Sequence, residues 1–204
     1  MIELNKIYNE DCLEGMKRIP DKSIDMILAD LPYGTTQNKW DSIIPLGPLW
    51  EQYKRIIKDN GAIVLTAQTP FDKVLGASNL NMLRYEWIWR KPIGTGHLNA
   101  KKMPLKNHEN ILIFYKKLPT YNPQMRKGEP YIRRAGNTVS TNYGNKTHTD
   151  IFSDGFRYPM TTLEFPRDKT KLHPTQKPVA LFEYLIRTYT NEGETVLDLS
   201  LIHI

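Results

Sequence analysis

The chain has 204 residues, 28 basic against 22 acidic, for a net charge of +6 and a pI near 9.2. That length supports one sizeable core with a small insertion, and no stretch approaches the ~20 apolar residues needed to cross a bilayer. One cysteine, Cys12, excludes a disulfide framework and a metal site built on several thiolates; no secretory signal is read in Met1-Ile2-Glu3-Leu4-Asn5, so a cytoplasmic protein is expected.

The elements follow in chain order. Leu13, Met16 and Ile19 share one helical face, and Pro20 stops that helix. Ile24 to Ala29 is a continuous apolar run, the pattern of a strand buried on both faces of a parallel sheet. Asp30-Leu31-Pro32-Tyr33-Gly34 follows at once. Ligands of open α/β sheets sit beyond the carboxyl ends of such strands, so Asp30 and Tyr33 are candidates for a crevice. The bland alternative is a proline turn with a surface tyrosine. Gln37 to Ile44, with Trp40, reads as a loop beside this tip. Leu46, Leu49, Trp50, Tyr53, Ile56 and Ile57 repeat at helical spacing, with Asn60-Gly61 as the stop signal. Ala62 to Ala67 is a second short apolar strand. Thr69-Pro70 fits a helix start, with Phe71, Val74 and Leu75 turned inward. Leu83 to Trp89 alternates and pairs antiparallel with Ile111 to Tyr115; Lys91 to Asn107 between them is too polar for core.

Residues 118–171 lack sustained periodicity. Nine basic residues (Arg126, Lys127, Arg133, Arg134, Lys146, Arg157, Arg167, Lys169 and Lys171) face five acids there. Tyr121, Tyr131, Tyr143, Phe152, Phe156, Tyr158 and Phe165 are interleaved with them. Cations mixed with aromatics suit a surface that grips phosphates and packs on bases; taken singly, the aromatics read as a local core. The α/β pattern then resumes. His173-Pro174-Thr175-Gln176-Lys177-Pro178 precedes a helix carrying Val179, Phe182, Leu185, Ile186 and Tyr189. Thr195-Val196-Leu197-Asp198 is a strand ending in an acid. His97, His108 and His148 have no ligand spacing, so no metal is expected.

Three of these stretches, Asp30-Leu31-Pro32-Tyr33, His173 to Pro178 and Gly193 to Asp198, resemble in identity and order the amino-group DNA methyltransferases of the permuted β class. The resemblance implies an α/β fold with a Rossmann-like sheet, mixed and mostly parallel. It divides the chain into a catalytic half at 1–117, an inserted target-recognition region at 118–171 and the start of the cofactor-binding half at 172–198. It implies S-adenosylmethionine as cofactor and double-stranded DNA as partner, no membrane, and leaves room for a restriction endonuclease acting in trans and for a homodimer. Carried over by position, Asp30 and the Leu31 carbonyl accept the hydrogens of the target amine, Tyr33 stacks on the extruded base, and Pro32 completes the catalytic set. Leu31 departs from the family's usual proline. Asp11, Cys12, Asp30, Thr175, Gln176, Lys177 and Asp198 are the cofactor-binding candidates.

An exocyclic amine is a poor nucleophile because its lone pair is delocalised into the ring. Two acceptors on its hydrogens free that lone pair for direct attack on a sulfonium methyl, with alignment and electrostatics supplying the acceleration. The base must first leave the duplex. A C5-cytosine enzyme needs a cysteine nucleophile, and Cys12 lacks the proline expected before it. An acid at the first motif position favours adenine N6 over cytosine N4, which stays open. The other readings are a non-catalytic DNA-binding module of the same fold and a methyltransferase acting on RNA or protein. After Asp198 the family continues with a glycine-rich turn and a further strand–helix–strand unit, on the order of 30 residues. Here the chain reads Leu199-Ser200-Leu201-Ile202-His203-Ile204, the translation of the transposon end CTGTCTCTTATACACATC used in sequencing-library preparation. Residues 199–204 are therefore expected to be foreign, the last βαβ part missing, and the chain as written impaired.

Overall fold

The computed structural model describes residues 2–38, 41–135, 150–170 and 175–199. Trp40, Tyr143, Lys146, His148, Lys171, His173, Pro174 and the tail residues 200–204 lie outside them.

The apolar runs form the strands. Helix α1 (Cys12–Met16) leads into β1 (Ile24–Asp30); α2 (Leu46–Ile56), β2 (Ile57–Ala67), α3 (Phe71–Ala77), β3 (Leu83–Thr95) and β4 (Lys106–Phe114) follow. After the short strands β5 (Arg126–Lys127), β6 (Tyr131–Arg133), β7 (Ile151–Ser153) and β8 (Phe156–Arg157) come β9 (Thr162–Glu164), α4 (Val179–Tyr189) and β10 (Val196–Leu197). Among the described residues the main sheet has six strands in the order β10-β1-β2-β4-β3-β9. Only β4 runs against the others, so the sheet is mixed and mostly parallel.

Strand alternation sorts β1 and β2 onto two faces. Ile27, Ala29, Ile63 and Leu65 pack with Met16 of α1, Leu49, Trp50 and Tyr53 of α2, and Phe71 and Leu75 of α3. Met26, Leu28, Ala62 and Val64 pack with Trp87, Trp89, Ile111 and Ile113, and with Leu181, Leu185 and Tyr189 of α4. Both faces are covered, which is why these strands read as unbroken apolar runs. The layered α/β arrangement matches the expected Rossmann-like fold.

Three local expectations are corrected. Asn60-Gly61 does not end α2, which stops at Ile56 and passes directly into β2. Gly61 serves instead a close backbone approach: a Cβ there would lie 2.8 Å from the Asp25 carbonyl oxygen. In α3 the buried residues are Phe71, Asp72, Leu75 and Gly76, while Val74 is exposed. Asp72 is drawn inward by Asn110 Nδ2, which donates to it at 2.6 Å. In α4 the buried stripe is Leu181, Leu185, Thr188 and Tyr189, and Val179 faces out.

The chain divides into two compact units, Met1–Asn122 with Thr161–Ile204, and Pro123–Met160. The second is thus narrower than the span 118–171. Phe165 packs on Tyr184 and Tyr121 on Tyr189, within the first unit. Within the second unit β5 pairs with β8 and β6 with β7, both antiparallel. The Arg157 guanidinium lies 5.3 Å from the Tyr131 ring centroid, and Phe152, Phe156 and Tyr158 are exposed.

Candidate active site

Asp30 ends β1, opposite Thr66 of β2. Its carboxylate is fully engaged. The Tyr33 hydroxyl donates to Oδ1 at 2.7 Å, the Thr66 hydroxyl donates to the same oxygen, and Lys177 Nζ donates to Oδ2 at 2.6 Å. Lys177 also lies 3.4 Å from Glu109 Oε2, and Glu109 is itself paired with Lys91. Two carboxylates and two ammonium groups, all largely buried, therefore alternate beside the end of β1. Burial opposes the charge on Lys177, but Asp30 and then Glu109 outweigh it and raise its pKa above the ordinary lysine value. Burial, then the charges of Asp30 and Glu109, push the Tyr33 phenol well up, so its hydroxyl remains a donor. The Tyr33 ring stacks on Phe71 at 5.5 Å, and the Lys177 ammonium sits 5.5 Å from its centroid.

The turn after Tyr33 is held by Asp41, which lies outside the motif. Gly34 adopts a left-handed φ of 65°. The buried carboxylate of Asp41 accepts the amides of Gly34, Thr35 and Thr36 at 2.9, 2.8 and 2.6 Å. Burial alone would raise the Asp41 pKa; the Gly34 and Thr36 groups and then the Thr35 amide outweigh it and hold the carboxyl below its usual range. Asp41→Asn replaces one acceptor oxygen with a donor facing these amides. It is expected to lower stability by about 2 kcal/mol. A depressed folded pKa stabilises above the unfolded value, so the deficit should be full at neutral pH and shrink as pH falls below about 4. Thermal melts of both proteins across that range check it.

A cavity of about 170 Å³ opens on this tip, lined among others by Asp30, Leu31, Pro32, Tyr33, Glu109 and Lys177. A second, larger cavity of about 810 Å³ is lined by Asp11, Cys12, Ile24, Pro32, Val196 and Asp198, among others. Pro32 belongs to both walls. The larger cavity is mainly apolar, with acids at intervals, and its size suits a small-molecule ligand. Asp11 caps α1, accepting from the Leu13 amide at 2.9 Å and the Glu14 amide at 3.2 Å. Cys12 is part-buried, and burial followed by Asp11 raises its thiol pKa. The buried Tyr53 hydroxyl has no hydrogen-bond partner among the described residues; burial, then Cys12 and Asp198, raise its pKa well above normal. Among the described residues no group of three or more His, Cys, Asp or Glu could hold a metal ion.

The family model of the DNA methylases, N6_N4_Mtase, matches residues 24–199. The chain belongs to that family. Type II methyltransferase M.HpaI of Haemophilus parainfluenzae is 28% identical over 95% of the chain and 62% of its own length. The chain thus spans about three fifths of that relative. DNA adenine methyltransferase YhdJ of Escherichia coli is 27% identical over 96% of the chain and 71% of its own. Among solved structures, the PvuII DNA methyltransferase (cytosine-N4-specific) superposes with a TM-score of 0.66 at 15% identity, over 94% of this chain and 72% of that one. The M1.HpyAVI complex with S-adenosylmethionine superposes with a TM-score of 0.57 at 21% identity, over 94% and 80%. At these identities the two structures establish the fold. No helix among the described residues is long and apolar enough to cross a membrane.

Asp30, Leu31, Pro32 and Tyr33 all line the smaller cavity. Asp11, Cys12 and Asp198 share the larger cavity. Thr175, Gln176 and Lys177 do not join them: they line the cavity of Asp30. Asp168 accepts from Gln176 Nε2 and from the Val179 amide, fixing this segment at the start of α4. Sequence reading missed Thr66, Lys91 and Glu109. The available signal was an acid, Glu109, two residues before the apolar run from Ile111, where a charge needs a buried partner.

Proposed function

We propose that the chain methylates duplex DNA, transferring a methyl group from S-adenosylmethionine to the N6 amino group of adenine. One observation carries this reading: the cavity of Asp30 and the larger cavity share Pro32 as a wall, so an amine held on Asp30 adjoins a ligand in the neighbouring space. The larger cavity fits the cofactor by size and by its mixture of apolar wall and acids. Asp11, Cys12 and Asp198 would hold it there. The cofactor supplies an electrophilic methyl on sulfur. The Asp at the head of the motif, rather than Ser, supports adenine over cytosine.

The chain's own residues then divide the work. Asp30 and the Leu31 carbonyl accept the two hydrogens of the target amine and localise its lone pair. Tyr33 supplies the face on which the base rests. Lys177 occupies the acceptor of the amine beforehand. When the base enters, the amine replaces the ammonium on Asp30, and Glu109, 3.4 Å away, takes it. After the new N–C bond forms, the nitrogen sheds one proton, and Asp30 is already its acceptor. Expression of the protein in a host without methylases of its own tests the assignment. Mass spectrometry of the digested DNA should find N6-methyladenine. N4-methylcytosine in its place would overturn the choice of base.

A further inference from the structure

The row of paired residues through Asp30 crosses the sheet at Thr66 of β2, Ile111 of β4 and Trp87 of β3. β1 ends at that row, but β3, which runs the same way, continues to Thr95. Eight further residues at about 3.3 Å each carry it about 25 Å past the catalytic edge. β4 returns alongside, with Thr95 opposite Lys106. The root of this hairpin is part of the site, because the opposed pair Trp89 and Glu109 line the cavity of Asp30. Its outer part belongs to no core. Every residue from Gly96 to His108 is exposed.

The hairpin is built to stand out. Gly94 lets the two strands close up: a Cβ there would lie 2.8 Å from Leu105 Cβ. Gly96, at φ 93°, turns the chain into a single 3-10 turn over His97–Asn99. Lys106 Nζ donates to the Thr69 carbonyl at 3.0 Å and braces the base of the arm. The composition is one-sided. No Asp or Glu occurs between Lys91 and His108, while Lys101 and Lys102 lie on the exposed tip. Leu98, at the turn, is 102% exposed. A fully solvated leucine three residues before Lys101 and Lys102, on an arm rooted in the cavity of Asp30, is unexplained by packing within this chain.

We propose that the hairpin is a DNA-gripping arm, resting on the DNA-methylating reading above. Lys101 and Lys102 neutralise backbone phosphates beside the target, and Leu98 presses into the base stack next to the position that the extruded base vacates. Proteins that unstack duplex DNA use apolar wedges of this kind, and lysines on phosphates add affinity without sequence preference. The arm reaches past the edge where the base must enter, and its charge complements the duplex.

The test is a salt titration of binding to a fluorescein-labelled duplex of arbitrary sequence, comparing the unmodified chain with the double variant K101A/K102A. Both lysines are exposed, so the variant should fold; its melting curve verifies this. The slope of log affinity against log salt should fall by about 2. An unchanged slope overturns the arm. If the same variant instead loses co-sedimentation with phosphatidylserine vesicles, the surface belongs to a membrane and the proposal falls. Leu98→Ala should keep the slope and lose at least ~10-fold in methyl transfer; wild-type transfer overturns the wedge. Absence of transfer by the unmodified protein strikes the functional reading, not the arm, because the binding slope is measured without turnover.

Discussion

Asp30→Ala is expected to slow methyl transfer by on the order of 10²–10³-fold while leaving DNA and cofactor binding largely in place. In the proposed reaction the carboxylate accepts from the target amine and localises its lone pair, an interaction that strengthens only as the new bond forms. Loss of one such preorganised electrostatic contact costs on the order of 10²–10³ in rate. The variant should still fold. Tyr33 and Thr66 remain within 3.1 Å of each other through their hydroxyls, and Lys177 keeps Glu109 as a counter-ion. Asp30→Asn, which keeps the shape but accepts through one oxygen only, should also lose most activity. Single-turnover transfer, measured beside DNA and cofactor affinities, separates the effects. Full activity in either variant would overturn the assignment of Asp30.

Lys177→Met is expected to carry the second large effect, on stability first. Lys177 is 10% exposed, against 15% for Asp30 and 9% for Glu109. Removing the cation leaves two mostly buried carboxylates facing the gap, and breaking such a pair costs about 3–5 kcal/mol. Lys91 stays on Glu109 and softens the loss, so the low end of that range is expected. The sign with pH follows from the raised pKa of Lys177. Its contribution is fully present below the unfolded lysine value near 10.4 and fades as pH rises through the higher folded value. Chemical denaturation of both proteins should give a constant difference from about pH 7 to 10 and a narrowing one above. A constant difference through pH 12, or none at pH 7, contradicts the account.

How much of this was legible in the sequence depended on distance along the chain. The tip of β1 was readable because Asp30, Leu31, Pro32 and Tyr33 are consecutive. The β3–β4 pair was readable from the alternation of Leu83 to Trp89 beside the run from Ile111. The ion-pair cluster was not, because Glu109 meets Lys177 and Asp30 only through the register of β4 on β2 and the placement of the segment before α4. Asp41 was missed for a related reason. Its role is to bind three backbone amides, which carry no side-chain signature. Gly61 shows the opposite error. Asn60-Gly61 has the composition of a helix stop, yet the glycine is required by a neighbouring strand.

The division between the two cavities refines the site that the resemblance implied. Thr175, Gln176 and Lys177 were expected around the cofactor. Lys177 instead holds Asp30, giving the segment before α4 a direct hold on the proposed acceptor of the target amine. In the proposed reaction, entry of the base and movement of Lys177 towards Glu109 are one exchange.

The most direct test is tritium transfer from labelled S-adenosylmethionine to unmethylated genomic DNA by the purified protein. The proposal predicts label in the DNA, recovered after digestion as N6-methyladenine, with transfer slower by on the order of 10²–10³-fold for Asp30→Ala. A folded protein that binds both DNA and cofactor yet transfers no label would contradict it.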